Sequence, residues 1–312
     1  MCDVTLPSLQ IDQNEIDLRS FLFVVTLYGV SMHQSQTIRS LWQFHDRQPR
    51  IHLLIIDNTP GEKAGRSWID GETDYVSFGE NKGLAQAYET AFHIAKAKGY
   101  RFLVFLDQDS EVSVGFVRAL DVVTNRCNSS VAIWCPDVIC DGRPVSPYSL
   151  NMVGWPNFRP RTGSNLYGIN SFSVVNVRFI ELIGGFEQFY WLDCLDSWLY
   201  EQAHKSDWHI ERLETSVDHD LSLVSGKITL TRLQNIAFYE SCFALEYGTG
   251  GRILGTIFRL LLRGIKRLEI IGGMLNWVDY LREIVRGAGI GLERRGANKS
   301  RAKSSLSDPP TR

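Results

Sequence analysis

The first half of the chain alternates short apolar runs with stretches of helical period. Phe21–Leu27 and residues 51–56, 75–78 and 101–106 are compact runs rich in β-branched and aromatic residues, bounded by polar or turn-forming positions. Between them, residues 34–44 and the alanine-rich 84–97 space their apolar side chains three and four apart. Residues 112–123 do the same, and another β-run follows at 131–134. Alternation of this kind predicts an α/β fold, a mostly parallel sheet flanked by helices. Ligands collect at the carboxyl ends of the strands in such sheets. Two of the runs end in an aspartate at that edge, Asp57 and Asp107.

The second half is less regular. Residues 140–166 are rich in Gly, Pro, Ser and Asn and predict a long loop, a lid over the site. Residues 167–175 return to strand character, Ile183-Gly184-Gly185-Phe186 is a turn, 195–203 is helical and 208–213 is a further strand. After Thr229 the pattern is helical to about residue 285, and the polar 296–312 reads as a disordered tail. The organisation expected is an N-terminal extension (1–18), a catalytic-sized domain (19–250), a basic helical region (251–295) and the tail (296–312).

Composition changes this picture at the C-terminus. With 312 residues, 44% of them hydrophobic, the chain has material for a sizeable core. Its net charge of −2 does not fit a nucleic-acid binder. From Arg252 onward there are 13 Lys and Arg against 5 Asp and Glu, so an acidic body carries a basic end. On a helical wheel Arg252, Arg259, Arg263, Lys266 and Arg267 fall within an arc of about 100°. Apolar residues, among them Leu254, Phe258 and Ile265, fill much of the remainder. That is a cationic, apolar-faced helix suited to an anionic membrane surface, with Trp277 and Tyr280 as interfacial anchors. The plainer alternative is a helix packed on the domain with its arginines in water. Residues 1–18 are acidic and polar, unlike a secretion signal, and no run reaches the roughly 18 apolar residues of a span. These features point to a cytoplasmic protein, peripheral to the inner face of the plasma membrane. Six cysteines without a CxxC pair or matching histidine spacing read as scattered thiols.

The chemistry centres on Asp107 and Asp109, directly after the fourth strand-like run. In extended geometry residues two apart share a face, so both carboxylates can enter one site. Two hard oxygen ligands together with substrate phosphates suit Mg²⁺ or Mn²⁺. A solvated turn with a capping aspartate is the bland alternative.

With these residues in place, the chain resembles family 2 glycosyltransferases of the GT-A fold, especially bacterial rhamnosyltransferases. The pieces are Val24-Val25-Thr26-Leu27-Tyr28, Ile55-Ile56-Asp57-Asn58, Glu80-Asn81-Lys82-Gly83-Leu84-Ala85, Leu106-Asp107-Gln108-Asp109-Ser110 and Ile183-Gly184-Gly185-Phe186, in family order. The resemblance implies a Rossmann-like GT-A domain and an inverting transfer from a nucleoside-diphosphate sugar, dTDP-rhamnose being the plausible donor, to a polysaccharide or glycolipid acceptor. It implies that Thr26 and Tyr28 line the nucleotide pocket and that Asp57 contacts the base. Asn81, Lys82 and Gly83 would border the nucleotide or its phosphates, with Gly83 allowing close backbone approach. Asp107 and Gln108 belong to the donor side, Asp107 near ribose and metal, and Asp109 is the principal metal ligand. His219 is implied as a further metal or diphosphate ligand.

The aromatic-then-acidic segment Tyr190-Trp191-Leu192-Asp193-Cys194-Leu195-Asp196 also resembles the family pattern. It offers Asp193 or Asp196 as general base, Asp193 being favoured, and Trp191 as an acceptor wall. Helix capping is the competing role for either aspartate. Three departures fall in the acceptor half. Tyr200 and Glu201 stand where an arginine is common, Asn170-Ser171 stands for Ser-Gly, and the glycine after the histidine comes late, at Gly226. The rivals are a non-catalytic sugar-binding scaffold and a haloacid-dehalogenase-like phosphatase, whose Asp pair usually follows the first strand. No GxGxxG follows the first run, which disfavours a dinucleotide-binding dehydrogenase.

Overall fold

The structure, a computed structural model, describes residues 17–44, 51–61, 65–68, 72–126, 130–160, 165–219 and 228–307. The expected tail beyond residue 307, most of the N-terminal extension, Cys2, Cys127 and Gly226 lie outside these residues.

The centre of the main sheet is parallel: β5 (Phe102–Asp107), β1 (Phe21–Leu27), β2 (His52–Asp57) and β4 (Thr73–Ser77) lie side by side. Outside β4 runs the antiparallel β3 (Gly65–Trp68). Beyond β5 come β11 (Val174–Asn176), antiparallel to both its neighbours, then β6 (Val131–Cys140) and the parallel β12 (His209–Asp218). A short β7 (Arg143–Ser146) pairs with β6.

Alternation along the strands sends side chains to two apolar layers. Leu22, Val24, Leu54, Leu103 and Phe105 pack with α2 (Gly83–Lys98), α4 (Val177–Leu182) and α5 (Leu195–Lys205). Phe23, Val25, Leu53, Ile55 and Val104 pack with α1 (Gln36–Trp42) and α3 (Val114–Asn125) on the other face. The α/β expectation of a mostly parallel central sheet between helices, with a helical C-terminal region, is met.

Three expectations are corrected. The acidic motif follows the fifth strand, because Gly65–Trp68 forms β3; that short piece carries one large apolar residue and its pairing is set by backbone, which no hydrophobic period reveals. Residues 140–166 are not a bare loop. They hold β7, then β8 (Tyr148–Leu150) and β9 (Pro156–Asn157), which with β10 (Leu166–Tyr167) form a separate three-stranded sheet. The polar tail is helical as far as Ser307, within α9 (Met274–Ser307).

The reason lies in how α9 docks on α6 (Leu230–Tyr247). A Cβ at Gly287 would sit 2.1 Å from the Phe238 carbonyl oxygen, and one at Gly291 would sit 2.3 Å from that of Cys242. The two glycines, one turn apart, let the helix backbones touch. Further along, Arg294 pairs with Glu246 (2.5 Å) and Glu187 (2.9 Å), and Asn298 donates to Glu246 (2.9 Å). Glu246 is buried and also accepts the Tyr190 hydroxyl at 2.8 Å.

The remaining helices are α7 (Gly250–Lys266) and the short α8 (Leu268–Ile271). The arginines of α7 do not point to water. Arg263 pairs with Glu240 at 2.8 Å, and Arg259 reaches both Glu240 and the Gly154 carbonyl. The opposite stripe of Leu254, Phe258 and Ile265 is exposed. The wheel gave the two faces correctly, and Glu240 decides which one turns inward.

Arg294 neutralises a carboxylate with no exposed surface, so Arg294→Ala should destabilise the protein by about 3–5 kcal/mol. Equilibrium denaturant unfolding checks this, and a loss near zero would show that α9 docks without the pair.

Candidate active site

The carboxyl ends of β1, β2 and β5 are in register, Thr26 beside Asp107 and Leu27 beside Asp57. Asp57 is buried, and its carboxylate accepts the Thr59 N–H (2.8 Å) and the Tyr75 hydroxyl (2.7 Å). Tyr28 is exposed, and its backbone N–H donates to Gln108 Oε1 at 2.8 Å while its carbonyl accepts from Gln108 Nε2 at 3.3 Å. Gln108 thereby ties the end of β1 to the turn after β5.

That turn carries the acidic pair. Asp107 closes β5 and Asp109 lies in the turn, so the pair converges through a bend and not through strand alternation. Two residues that the sequence reading missed hold the bend. Thr37 Oγ1, fully buried at the start of α1, accepts the Ser110 N–H (2.9 Å) and donates to the carbonyls of Asp107 and Ser110. Ser35 Oγ donates to the Gln108 carbonyl at 2.7 Å. The available signal was the pair of small hydroxyl residues at the start of an amphipathic helix, which reads only as a cap; Ser35 does also cap α1.

His219 reaches the same place from the far edge of the sheet, just past β12. Its Nδ1 is 2.7 Å from Ser110 Oγ and its Nε2 is 3.2 Å from Asp107 Oδ2. With Nδ1–H donating to Ser110, the Nε2 lone pair is directed at the carboxylates. Ligand atoms of Asp107, Asp109 and His219 all lie within 4.8 Å of one another. Two carboxylates and an imidazole this close, with one imidazole nitrogen already fixed by a hydroxyl, fit a divalent cation such as Mg²⁺ or Mn²⁺.

The Asn81-Lys82-Gly83 segment leads into α2. Asn58, buried on the β2 side, clamps it by accepting the Lys82 N–H (3.2 Å) and donating to the Gly83 carbonyl (3.1 Å). Asn81 Oδ1 accepts the Gly83 N–H at 3.0 Å. Glycine at 83 also meets a packing requirement. Its φ is +80°, and a Cβ would lie 2.5 Å from the Trp191 ring and 2.7 Å from its carbonyl oxygen. That carbonyl accepts the N–H groups of Leu84 and Ala85 at 2.6 and 3.0 Å, capping a helix that has no side-chain cap. Trp191 therefore joins the two halves of the site, and it is not among the residues that line the cavity described next.

A cavity of about 610 Å³ is bounded by β8, β9 and β10, α5, α6 and α7. Asp107, His219, Asp193 and Asp196 all open onto it. The two candidate bases have different surroundings. Asp193 is ion-paired to Arg232 of α6. Burial raises its pKa and the guanidinium opposes that rise. Asp196 accepts the Ser197 N–H (2.7 Å), and burial, with Asp193 and Glu240 nearby, pushes its carboxyl up to about 6. Neither caps α5, whose cap residue Cys194 is in the left-handed conformation without a side-chain bond.

Comparison with known proteins agrees with this architecture. The crystal structure of TarS 1–349 from S. aureus is similar, at TM-score 0.53 and 10% identity over 86% of this chain and 80% of that one. The same region of TarS in complex with UDP-GlcNAc matches at TM-score 0.51 and 10% identity, over 86% and 81%. The mannosyltransferase PcManGT from Pyrobaculum calidifontis, in complex with GDP-Man and Mn²⁺, matches at 0.50 and 12% identity, over 93% and 81%. The fold is GT-A. No family model matches the chain, and no curated protein matches its sequence.

Proposed function

We propose that the chain is an inverting, metal-assisted glycosyltransferase that uses a nucleoside-diphosphate sugar. The sequence resemblance favours rhamnose from dTDP-rhamnose, passed to a polysaccharide or lipid-linked glycan. One observation carries the reading: in a GT-A fold, Asp107 and His219 of the Asp107–Asp109–His219 cluster open onto the same cavity as the Asp193/Asp196 pair, at the carboxyl edge of the sheet.

In this reading Thr26, Tyr28, Asp57 and the segment from Asn81 to Gly83 face the nucleotide at the sheet edge, where Gln108 and Asn58 hold their backbones. Asp107, Asp109 and His219 hold Mg²⁺ or Mn²⁺, which when bound neutralises the charge of the departing diphosphate. Asp196 is the base. Its partner Asp193 is occupied by Arg232, whereas Asp196 keeps lone pairs for an acceptor hydroxyl. Asp196 takes the hydroxyl proton as that oxygen bonds to the anomeric carbon. The bond from that carbon to the diphosphate oxygen breaks, and the nucleoside diphosphate leaves with the electron pair.

A membrane setting belongs to the same proposal. The exposed stripe of Leu254, Phe258 and Ile265 is supported by the 250–268 segment, which contains no acidic residue. Among the described residues no helix is long and apolar enough to cross a membrane, so contact would be peripheral.

Three measurements test these points. Asp109→Ala should abolish sugar transfer and the metal-dependent thermal stabilisation by nucleotide sugars; full activity in the variant would refute the metal role. The base must be ionised, so kcat/KM should fall as pH drops through about 6, and Asp196→Asn should remove that limb together with activity. The double change Leu254→Ser and Phe258→Ser should weaken sedimentation with phosphatidylglycerol-containing vesicles roughly tenfold or more. Equal sedimentation of variant and wild type would discard the membrane setting.

A further inference from the structure

One stretch of the cavity wall carries polar atoms that the protein does not satisfy. Asn170 and Ser171 lie between β10 and β11, are 5% and 4% exposed, and line the cavity with Asp107 and Asp196. The amide nitrogen and oxygen of Asn170 and the hydroxyl of Ser171 are buried without a hydrogen-bond partner in the protein. Leaving such groups unpaired costs stability, so their retention needs a cause.

Their neighbours differ. Ser173 Oγ donates to the Ile169 carbonyl (2.8 Å), and Ser146 Oγ accepts the Ile169 N–H (3.2 Å). The backbone is also held hard. Phe172 is fully buried at φ +64°, its N–H bonded to the Phe105 carbonyl at 2.7 Å, and the Ser173 N–H closes onto the Asn170 carbonyl at 2.9 Å. A bulky residue in the left-handed region persists only where its surroundings enforce it. The turn is therefore rigid, and it fixes the two unpartnered side chains at the cavity.

We propose that Asn170 and Ser171 form a sugar-hydroxyl subsite. An amide supplies donors and an acceptor side by side, and a hydroxyl supplies both, which matches a vicinal diol whose groups each donate and accept. Neither side chain carries a charge, so the pair selects a neutral polyol. Two of the cavity's carboxylates are already paired, Asp193 with Arg232 and Glu240 with Arg259 and Arg263. The inference rests on the glycosyltransferase reading and adds to it the residues that read hydroxyl configuration. The diol belongs either to the transferred sugar or to the terminal sugar of the acceptor.

The test uses the full chain with Asn170→Leu and Ser171→Ala. Removing unpartnered polar atoms should leave the melting temperature of the ligand-free protein unchanged or raised, which separates a binding role from a packing role. Binding of dTDP-rhamnose, UDP-GlcNAc and GDP-mannose is measured beside that of each free nucleoside diphosphate, in Mn²⁺. Saturation-transfer NMR follows the methyl glycosides of the same sugars. A roughly tenfold loss for a nucleotide sugar with its diphosphate unchanged places the diol on the donor. Loss of the methyl-glycoside signal alone places it on the acceptor. Equal losses for nucleotide sugar and diphosphate, undiminished binding in both variants, or no sugar contact in the wild type overturns the subsite. Failure of every nucleotide sugar to bind wild type, with methyl-glycoside contact still lost in the variants, instead overturns the glycosyltransferase reading and spares the subsite.

Discussion

The site depends on the hydroxyl of Thr37. The turn after β5 carries two carboxylates whose oxygens, with an imidazole nitrogen, lie within 4.8 Å of one another, and like charges that close repel. A turn has no sheet or helix ladder to hold it against that repulsion. Thr37 Oγ1 supplies the restraint by bonding the backbone at Asp107 and Ser110 from inside the protein. Ser110 extends it to His219, so the imidazole is positioned by the same bend. Preorganisation of this kind spares a ligand the cost of assembling its own binding groups.

The part of the cavity around Asp193 and Asp196 follows the opposite logic. There the charges are distributed so that one carboxylate is satisfied and its neighbour is not. Arg232 takes Asp193, Arg259 and Arg263 take Glu240, and Asp196 is left to burial. A divergence of this kind between two nearby carboxylates is what the proposed division into proton acceptor and structural anion rests on. The family-like segment favours Asp193; the ion pair that occupies it comes from Arg232, on a different helix.

What could be read in the sequence was whatever depends on local period. The strand ends at Asp57 and Asp107, the helices between them and the acidic motif all follow from alternation and turn residues. What could not be read depends on distant partners. Strand β3 and the small sheet are built by backbone pairing of pieces too short to show a period. The helix through Ser307 is polar by composition and is anchored by Gly287, Gly291 and Arg294 against α6. The two faces of α7 were visible, but the inward one was decided by Glu240. Ser35 and Thr37 look like ordinary helix-start residues until the turn they grip is brought beside them.

The joint between Gly83 and Trp191 has a consequence for how this protein can vary. The link runs through the Trp191 carbonyl, which every residue type possesses, so the hydrogen bonds to Leu84 and Ala85 do not depend on the side chain at 191. Position 83 has no such freedom, because its φ of +80° and the contact at 2.5 Å leave no room for a Cβ. The segment around Trp191 can therefore exchange its aromatic side chain without detaching from α2. Under the proposed glycosyltransferase reading, diversification of the acceptor would be mechanically insulated from the segment that borders the donor.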